Sequence, residues 1–118
     1  MKELTVSYRN YKKKYESFPK KKDSYNAEEK TIVLVLNEYQ EKAIEFETET
    51  GSDRDIREVV NTIEYHLKNS NKEDVEERLE NAKEWYKECE EDDAEDDLRE
   101  AKESIELLSY ILKKGWHK

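Results

Sequence analysis

The sequence predicts a single all-α domain, residues 1–118, built as an antiparallel bundle of four to five helices. Apolar residues recur at alternating gaps of four and three along most of the chain, which is the spacing of one stripe on a helix. Only two glycines and one proline occur in 118 residues, so few turn residues are left for a sandwich or a barrel. Side chains that cap helices, followed three positions later by an acid, precede several of these stripes.

The first 36 residues fit two interpretations. One is a helix ended by Pro19, whose stripe would hold five residues at the four-three spacing: Leu4, Tyr8, Tyr11, Tyr15 and Phe18. In the other, residues 3–8 and 31–36 pair as two strands, because the first segment alternates apolar and polar side chains and the second is rich in β-branched residues. The helix is the preferred interpretation, which leaves an α+β fold as the minor alternative.

The rest of the chain predicts four helices, near residues 27–49, 53–68, 72–90 and 93–114. Three of them begin at a capping side chain that is followed by an acid: Asn26 with Glu29, Ser52 with Asp55, and Ser70 with Glu73. Asp92 or Asp93 can cap the fourth helix. The links at 69–71 and 91–93 are short, which makes the last three helices an up-down-up series.

Charge is unevenly placed along the chain. Residues 1–30 hold nine Lys/Arg against five Asp/Glu, a net charge of +4, whereas residues 31–118 hold thirteen against twenty-six, a net charge of −13. We therefore divide the domain into a basic N-terminal segment, 1–26, and an acidic helical body, 27–118.

The features that indicate a compartment favour the cytoplasm. Cys89 is the one cysteine, so an internal disulfide is excluded and a reducing compartment is compatible with the sequence. The N-terminus lacks an apolar signal-peptide core, and the longest apolar run, residues 32–36, is far too short to span a bilayer. We expect a cytoplasmic protein, which for a viral protein means the host cytoplasm.

Eight carboxylates stand within the ten residues 88–97, ECEEDDAEDD, and they are Glu88, Glu90, Glu91, Asp92, Asp93, Glu95, Asp96 and Asp97. The helix dipole favours the acids in the first turn of the last helix but opposes those in the last turn of the helix before it. The run fits a solvated tip, a surface that docks on a basic protein, or a weak metal site. A calcium loop of EF-hand type is disfavoured because the run contains no glycine. We predict that these eight carboxylates bind a partner and that the protein has no metal or cofactor.

A second pattern of carboxylates flanks this run. Glu76-Glu77-x-x-Glu80, followed by Glu100-x-x-Glu103, resembles the magnesium-binding EExxE and ExxD motifs of the all-helical MazG-type nucleotide pyrophosphohydrolases, with Glu in place of the final Asp. The resemblance implies a metal-dependent hydrolase acting on nucleoside triphosphates. The apolar stripes argue against that activity, since they turn these carboxylates to solvent, whereas metal ligands in a helical bundle project inward.

The sequence contains few residues that could act as nucleophiles, bases or metal ligands. His66 and His117 are the two histidines, and neither has a second ligand at metal-binding spacing. Cys89 lies on an apolar stripe inside the acidic run, where burial and negative charge both oppose the reactive thiolate. We therefore predict no catalytic residue and no enzyme.

The basic segment interleaves cations with aromatic residues, RNYKKKY at 9–15 and FPKKK at 18–22. Lysines can contact phosphates while tyrosines stack on bases, and an anionic membrane is a second possible partner. The interpretation we favour places Tyr8, Tyr11 and Tyr15 in the core, because a body of net charge −13 repels a polyanion. We predict no direct contact with nucleic acid or membrane.

Trp116 lies beyond the last apolar stripe and fits two roles. It either folds back to close the end of the bundle or, if exposed, anchors a partner, because Trp is enriched at interface hot spots. We include it in the predicted partner-binding set.

Together these observations predict a small acidic protein-binding module without enzymatic activity. Its partner would be a basic surface of another protein, such as a nuclease, that normally holds nucleic acid. A phage or mobile-element inhibitor that blocks such a host surface by charge mimicry fits this description. The alternatives are a structural protein that forms a helical homo-oligomer and the MazG-like pyrophosphohydrolase.

Overall fold

The computed structural model describes residues 2–118, of which the helices take the larger share. The chain is 64% helical, with a two-stranded antiparallel sheet. The protein is therefore mostly α with a minor β element, and the two-strand alternative for the first 36 residues is confirmed. The chain packs as two compact units, Met1–Asn61 and Thr62–Lys118, each of which is described by itself below.

Strands β1, Lys2–Ser7, and β2, Thr31–Leu36, form the sheet, with Lys2 opposite Leu36 and Ser7 opposite Thr31. The preferred helix through the first residues is wrong for 2–7. Alternate residues of β2 are buried and the others half-buried, which is the pattern of a strand that packs on one face. Its β-branched side chains also fit a pleated surface better than a helix. Segment 19–21 lies along the other edge of β2, because Lys21 N donates to Val33 O at 2.8 Å.

Helical structure between the strands is short. Ser7 Oγ accepts a hydrogen bond from Asn10 N at 3.1 Å and caps one turn, α1, Tyr8–Asn10, which continues as a π-helical turn, Tyr11–Tyr15. The predicted helix at 27–49 does not begin at Asn26. The Asn26 side chain instead accepts from Glu28 N and Glu29 N, which closes a turn that leads into β2.

Helix α2, Glu38–Thr50, is the part of that predicted helix that forms. Asn37 caps it reciprocally with Gln40, and Gly51, at φ 69°, ends it in the left-handed conformation that glycine adopts without strain. Helix α3, Ile56–Asn69, follows. Asp55 caps α3 by accepting from Arg57 N at 3.0 Å, so the cap is three residues later than the predicted Ser52.

Helices α4, Lys72–Glu91, and α5, Glu95–Lys114, pack on each other as a hairpin, as the short link predicted. The cap of α4 is Asn71, paired with Asp74, one residue later than the predicted Ser70. The predicted cap of α5 is wrong. Asp93 is left-handed at φ 53°, and the N-cap position belongs to Ala94, which makes no side-chain cap bond.

The hairpin has an apolar interior that the predicted stripes describe only in part. Helix α4 buries Val75, Leu79, Ala82 and Cys89, which follow the four-three spacing of one stripe. Helix α5 buries Ala101, Leu107, Leu108, Tyr110 and Ile111, a set that departs from the four-three spacing of one stripe. No helix within residues 2–118 is long and apolar enough to cross a membrane.

Candidate functional site

The eight predicted partner-binding carboxylates all lie at the end of the α4–α5 hairpin. Three belong to the last turn of α4, two to the link and three to the first turn of α5, and all eight are exposed: Glu88, Glu90, Glu91, Asp92, Asp93, Glu95, Asp96 and Asp97. We call this set the acidic tip. The structure therefore brings the two sides of the run together on one exposed surface.

Backbone hydrogen bonds fix the turn that carries the acidic tip. Asp92 N donates to Glu88 O at 3.1 Å, and Ala94 N donates to Cys89 O at 3.2 Å. Asp93 supplies the left-handed residue that the reversal needs, a conformation that aspartate adopts more readily than most residues. The carboxylates on either side of the link are thus held close together by the path of the chain.

The negative charge of the acidic tip is not compensated locally. Within the described chain, none of its eight carboxylates forms an ion pair. Residues 62–118 hold ten Lys/Arg against eighteen Asp/Glu, a net charge of −8, whereas residues 1–61 hold twelve against thirteen, a net charge of −1. Most of the chain's net charge of −9 therefore belongs to the unit that carries the acidic tip.

Cys89 lies within the sequence of the acidic tip, and the negative charge there affects the pKa of its thiol. Burial first, and then the charges of Asp97, Asp92 and Glu88, raise the pKa of its thiol. The side chain is buried on the apolar face of α4, so the protonated thiol packs as a small apolar group. Both the burial and the neighbouring charges therefore oppose formation of the thiolate.

Trp116 is separate from the acidic tip and buried. Gly115, at φ 72°, ends α5, and Trp116 N then donates to Ile111 O at 3.0 Å. The indole is 7% exposed and meets the Tyr110 ring edge-on at 5.2 Å between centroids. The structure thus has the fold-back arrangement, and a buried indole does not supply an exposed anchor.

Most carboxylates of the MazG resemblance lie on the surface. Glu77 and Glu100 are exposed, and Glu103 is half-buried. Glu80 is exposed too and lies 3.6 Å from Lys83 Nζ, as a surface ion pair. In the part of the chain that the structure describes, no group of three or more His, Cys, Asp or Glu side chains is placed to hold a metal ion.

The sequence interpretation missed an ion pair in residues 1–61 between a half-buried lysine and a buried glutamate. Glu47, on the buried face of α2, is 4% exposed and pairs with Lys14 Nζ from the π-helical turn. Burial raises the pKa of Glu47 above its ordinary value, against the opposing effect of Lys14. Burial lowers the pKa of Lys14, but the hydrogen bond and charge of Glu47 outweigh it and the net pKa shift is upward. The signal for the burial of Glu47 was its position four residues after Ala43, because residues four apart lie on the same face of a helix.

A cleft of about 1000 Å³ lies beside this pair, between the π-helical turn and residues 53–57. Its wall carries both cations and acids. Lys12 lies 3.3 Å from Glu16, and Arg57 lies 2.9 Å from Asp55. Because these neighbours neutralise each other, the cleft is less selective for an anion than its lysines suggest.

His66 and Ser70 form a buried pair in residues 62–118. His66 Nδ1 lies 2.9 Å from Ser70 Oγ, and each residue is 2% exposed. The geometry is that of a base and a hydroxyl, but burial keeps a substrate away from both. Burial first, and then the charge of Arg78, lower the pKa of His66, against the opposite effect of Asp74.

The His66 pair predicts a loss of stability in mild acid. Because the pKa of His66 is lower in the folded state, the unfolded chain takes up the proton first as pH falls below 6.5, and stability drops from there through the folded pKa. Urea unfolding at about pH 7.5 and about pH 5.5 measures this difference, which His66→Gln should reduce. His117→Gln is the matched control. An unchanged pH difference in His66→Gln would contradict the prediction.

The basic segment departs from the core interpretation. Tyr11 and Phe18 are buried and Tyr15 is half-buried, whereas Tyr8 is 38% exposed. The core prediction is therefore confirmed for Tyr11 and wrong for Tyr8. Tyr25, which belonged to no stripe, is 52% exposed.

Three features of the described residues can therefore contact a partner: the acidic tip, the exposed tyrosines with their lysines, and the cleft. The acidic tip has the greatest uncompensated charge. Comparisons with protein-family models, with curated proteins and with solved structures find no match for this chain.

Proposed function

We propose that the protein is a non-enzymatic binding module whose acidic tip docks on a basic surface of another protein. One observation carries the proposal: eight exposed carboxylates occupy a single helix-hairpin end, and no ion pair within residues 2–118 neutralises them. Surface acids of a folded protein are usually interspersed with cations, which lowers their repulsion. A partner that supplies the missing cations would relieve that repulsion.

The charge density of the acidic tip supports a partner that otherwise binds nucleic acid. Double-stranded DNA carries one charge per about 1.7 Å of its axis, and an α-helix rises about 1.5 Å per residue. Eight carboxylates in ten residues, doubled back at a tight link, therefore approach the charge density of a duplex. A surface of Arg and Lys shaped for phosphates would accept them as substitutes.

The arrangement also favours a binding role over a purely structural one. Glu88, Glu90 and Glu91 lie in the last turn of α4, where the helix dipole disfavours negative charge. No basic residue stands in that turn to offset it. These carboxylates therefore destabilise the free protein. A basic partner that neutralises them would remove this destabilisation, which would contribute to the free energy of binding.

We extend the proposal to competitive inhibition by charge mimicry. The protein would cover the nucleic-acid site of a host protein such as a nuclease, as a phage or mobile-element product acting in the host cytoplasm. Long-range attraction between the acidic tip and such a site would speed association and make binding sensitive to salt.

Affinity capture from host lysate tests the proposal with a matched pair of variants. Neutralising four carboxylates of the acidic tip, by Glu90→Gln, Glu91→Gln, Asp92→Asn and Asp93→Asn, should weaken capture of the partner by about thirtyfold or more. The control removes the same charge from exposed, unpaired acids elsewhere in the same unit, by Glu77→Gln, Glu84→Gln, Glu100→Gln and Glu106→Gln. It should weaken capture only slightly.

Two further measurements make the result specific. Duplex DNA should displace the captured partner, and raising salt should release it. Equal losses in the two variants would show a response to net charge alone, and capture that neither salt nor DNA affects would contradict charge mimicry. Circular dichroism confirms that both variants stay helical.

A further inference from the structure

Two large aromatic side chains of residues 1–61 lie side by side on the surface. Tyr8 is 38% exposed and Tyr25 is 52% exposed, and their rings meet edge-on with centroids 5.2 Å apart. Aromatic side chains stabilise a protein mainly by burial, so an exposed pair in contact is a feature that folding alone does not favour.

The backbone holds the two rings in place. Tyr8 N donates to Lys30 O at 2.8 Å, and Asn26 N donates to Thr31 O at 2.9 Å, which fixes both tyrosines beside the start of β2. On its inner side Tyr8 leans on the buried Tyr11, with ring centroids 6.1 Å apart. The pair is therefore ordered before any ligand arrives, which reduces the entropy cost of binding.

Cations lie against Tyr8 and against Tyr11, the ring that supports it. Lys12 Nζ lies 5.9 Å from the centroid of the Tyr8 ring, and Lys20 Nζ lies 5.7 Å from that of Tyr11. Residues 7–26 hold seven Lys/Arg against two Asp/Glu, a net charge of +5 in a chain of net charge −9. The aromatic pair thus lies within the most basic part of the sequence.

Four of these cations have no acid partner. Across residues 2–118, ion pairs are absent for four exposed side chains of this segment: Arg9, Lys13, Lys20 and Lys22. In a chain with an excess of acids, such cations are available to an external anion. We call them, together with Tyr8 and Tyr25, the tyrosine–lysine surface.

We propose that the tyrosine–lysine surface binds single-stranded nucleic acid. Unpaired bases would stack on Tyr25 and Tyr8 while the four unpaired cations of the surface contact the phosphates, which is how sequence-independent single-strand binders work. In a duplex the base faces are covered by neighbouring bases, so the tyrosines would have no stacking partner there. This proposal replaces the expectation from the sequence that the protein makes no direct contact with nucleic acid, because that expectation placed Tyr8 in the core. The binding is independent of the acidic tip and goes beyond the proposed function.

Fluorescence anisotropy with labelled oligo-dT and oligo-U of about twelve nucleotides measures the binding at about 50 mM salt. Each of Tyr8→Leu and Tyr25→Leu should weaken binding by about tenfold, because leucine keeps an apolar contact but loses the stacking face. Tyr65→Leu is the matched control, since Tyr65 is 45% exposed in the other unit and should have no effect.

Salt dependence measures the contribution of the cations. Four phosphate contacts on a single strand give a slope of about −3 in the plot of log affinity against log salt. The triple variant Lys13→Gln, Lys20→Gln, Lys22→Gln should reduce the slope by about 2. A control triple of exposed, unpaired lysines in residues 62–118, Lys87→Gln, Lys102→Gln and Lys113→Gln, should leave it unchanged.

The result expected is single-strand binding that both the tyrosine and the lysine variants weaken, with a duplex of the same length bound less tightly. The proposal is overturned if the wild-type chain does not bind either oligonucleotide at low salt, or if the tyrosine variants bind as wild type.

A competing occupant of the same surface is the acidic tip of a second copy. Sedimentation at low salt would then show self-association that Lys13→Gln, Lys20→Gln, Lys22→Gln abolishes, with no oligonucleotide bound, and this outcome also overturns the proposal. The four-residue acidic-tip variant should bind oligonucleotide at least as tightly as wild type, because it repels phosphate less. Its loss of partner capture would therefore test the proposed function separately.

Discussion

Replacing Lys14 by methionine is expected to lower the free energy of unfolding by about 3 kcal/mol. Glu47 is 4% exposed, and within the described chain neither of its carboxylate oxygens accepts a hydrogen bond from a group other than Lys14. Removing the cation would leave a buried carboxylate with no compensation. The methylene groups of the methionine preserve most of the packing of the lysine stem, so the loss would report the charge.

The double variant Lys14→Met, Glu47→Leu should recover this loss and be at least as stable as wild type. Replacing both members of a buried ion pair by apolar residues removes the desolvation cost of both charges. Lys12→Met is the control, because its ion pair with Glu16 is exposed and solvent-screened, so its loss should change the free energy of unfolding far less. Urea unfolding followed by circular dichroism measures all three variants. Equal effects of Lys12→Met and Lys14→Met would contradict the prediction.

The pH dependence of Lys14→Met provides a second check. Burial raises the pKa of Glu47 in the folded protein, so the unfavourable contribution of its charge grows as pH rises above 4.5 and disappears below that value. Without Lys14 the opposing effect is lost, and the pKa should rise further. The destabilisation by Lys14→Met should therefore be smaller at about pH 4 than at about pH 7.

The fold was predictable where local patterns act alone. The bounds of α4 and α5 lie within two residues of the predicted 72–90 and 93–114, because apolar stripes and a short polar link determine both. Strand β1 was not predictable in this way, because its residues fit a period of two and a period of 3.6 equally well. Its pairing partner decides between them, and that partner lies in β2, far away along the sequence.

Of the candidate sites, likewise, one could be predicted from the sequence and the others required the structure. Exposure of the acidic tip follows from composition alone, since eight adjacent carboxylates cannot be buried. The Lys14–Glu47 pair required knowledge of which elements meet, because a charged residue on an apolar face is indistinguishable from a surface residue until its partner is known. Tyr25 lay on no stripe, and only its contact with Tyr8 gives its exposure a meaning.

Replacing Trp116 by alanine should lower the free energy of unfolding by about 4 kcal/mol, among the largest single losses that the chain can show. The indole is 7% exposed and packs edge-on against Tyr110, so its removal would leave a cavity at the end of α5. The turn at Gly115, which returns Trp116 N to Ile111 O, would lose the apolar contact that accompanies it. Urea unfolding measures the loss. Trp116→Phe should retain more than half of the free energy of unfolding that Trp116→Ala loses.

The same variant distinguishes a core residue from a partner anchor. If Trp116 packs the interior, Trp116→Ala should bind the partner of the acidic tip with wild-type affinity at temperatures where the variant remains folded. An anchor would show the opposite pattern, wild-type stability with a large loss of affinity. The indole is buried against Tyr110, whereas the acidic tip lies at the other end of α5. We therefore expect Trp116→Ala to lose stability and to keep its affinity for the partner, as a core residue would.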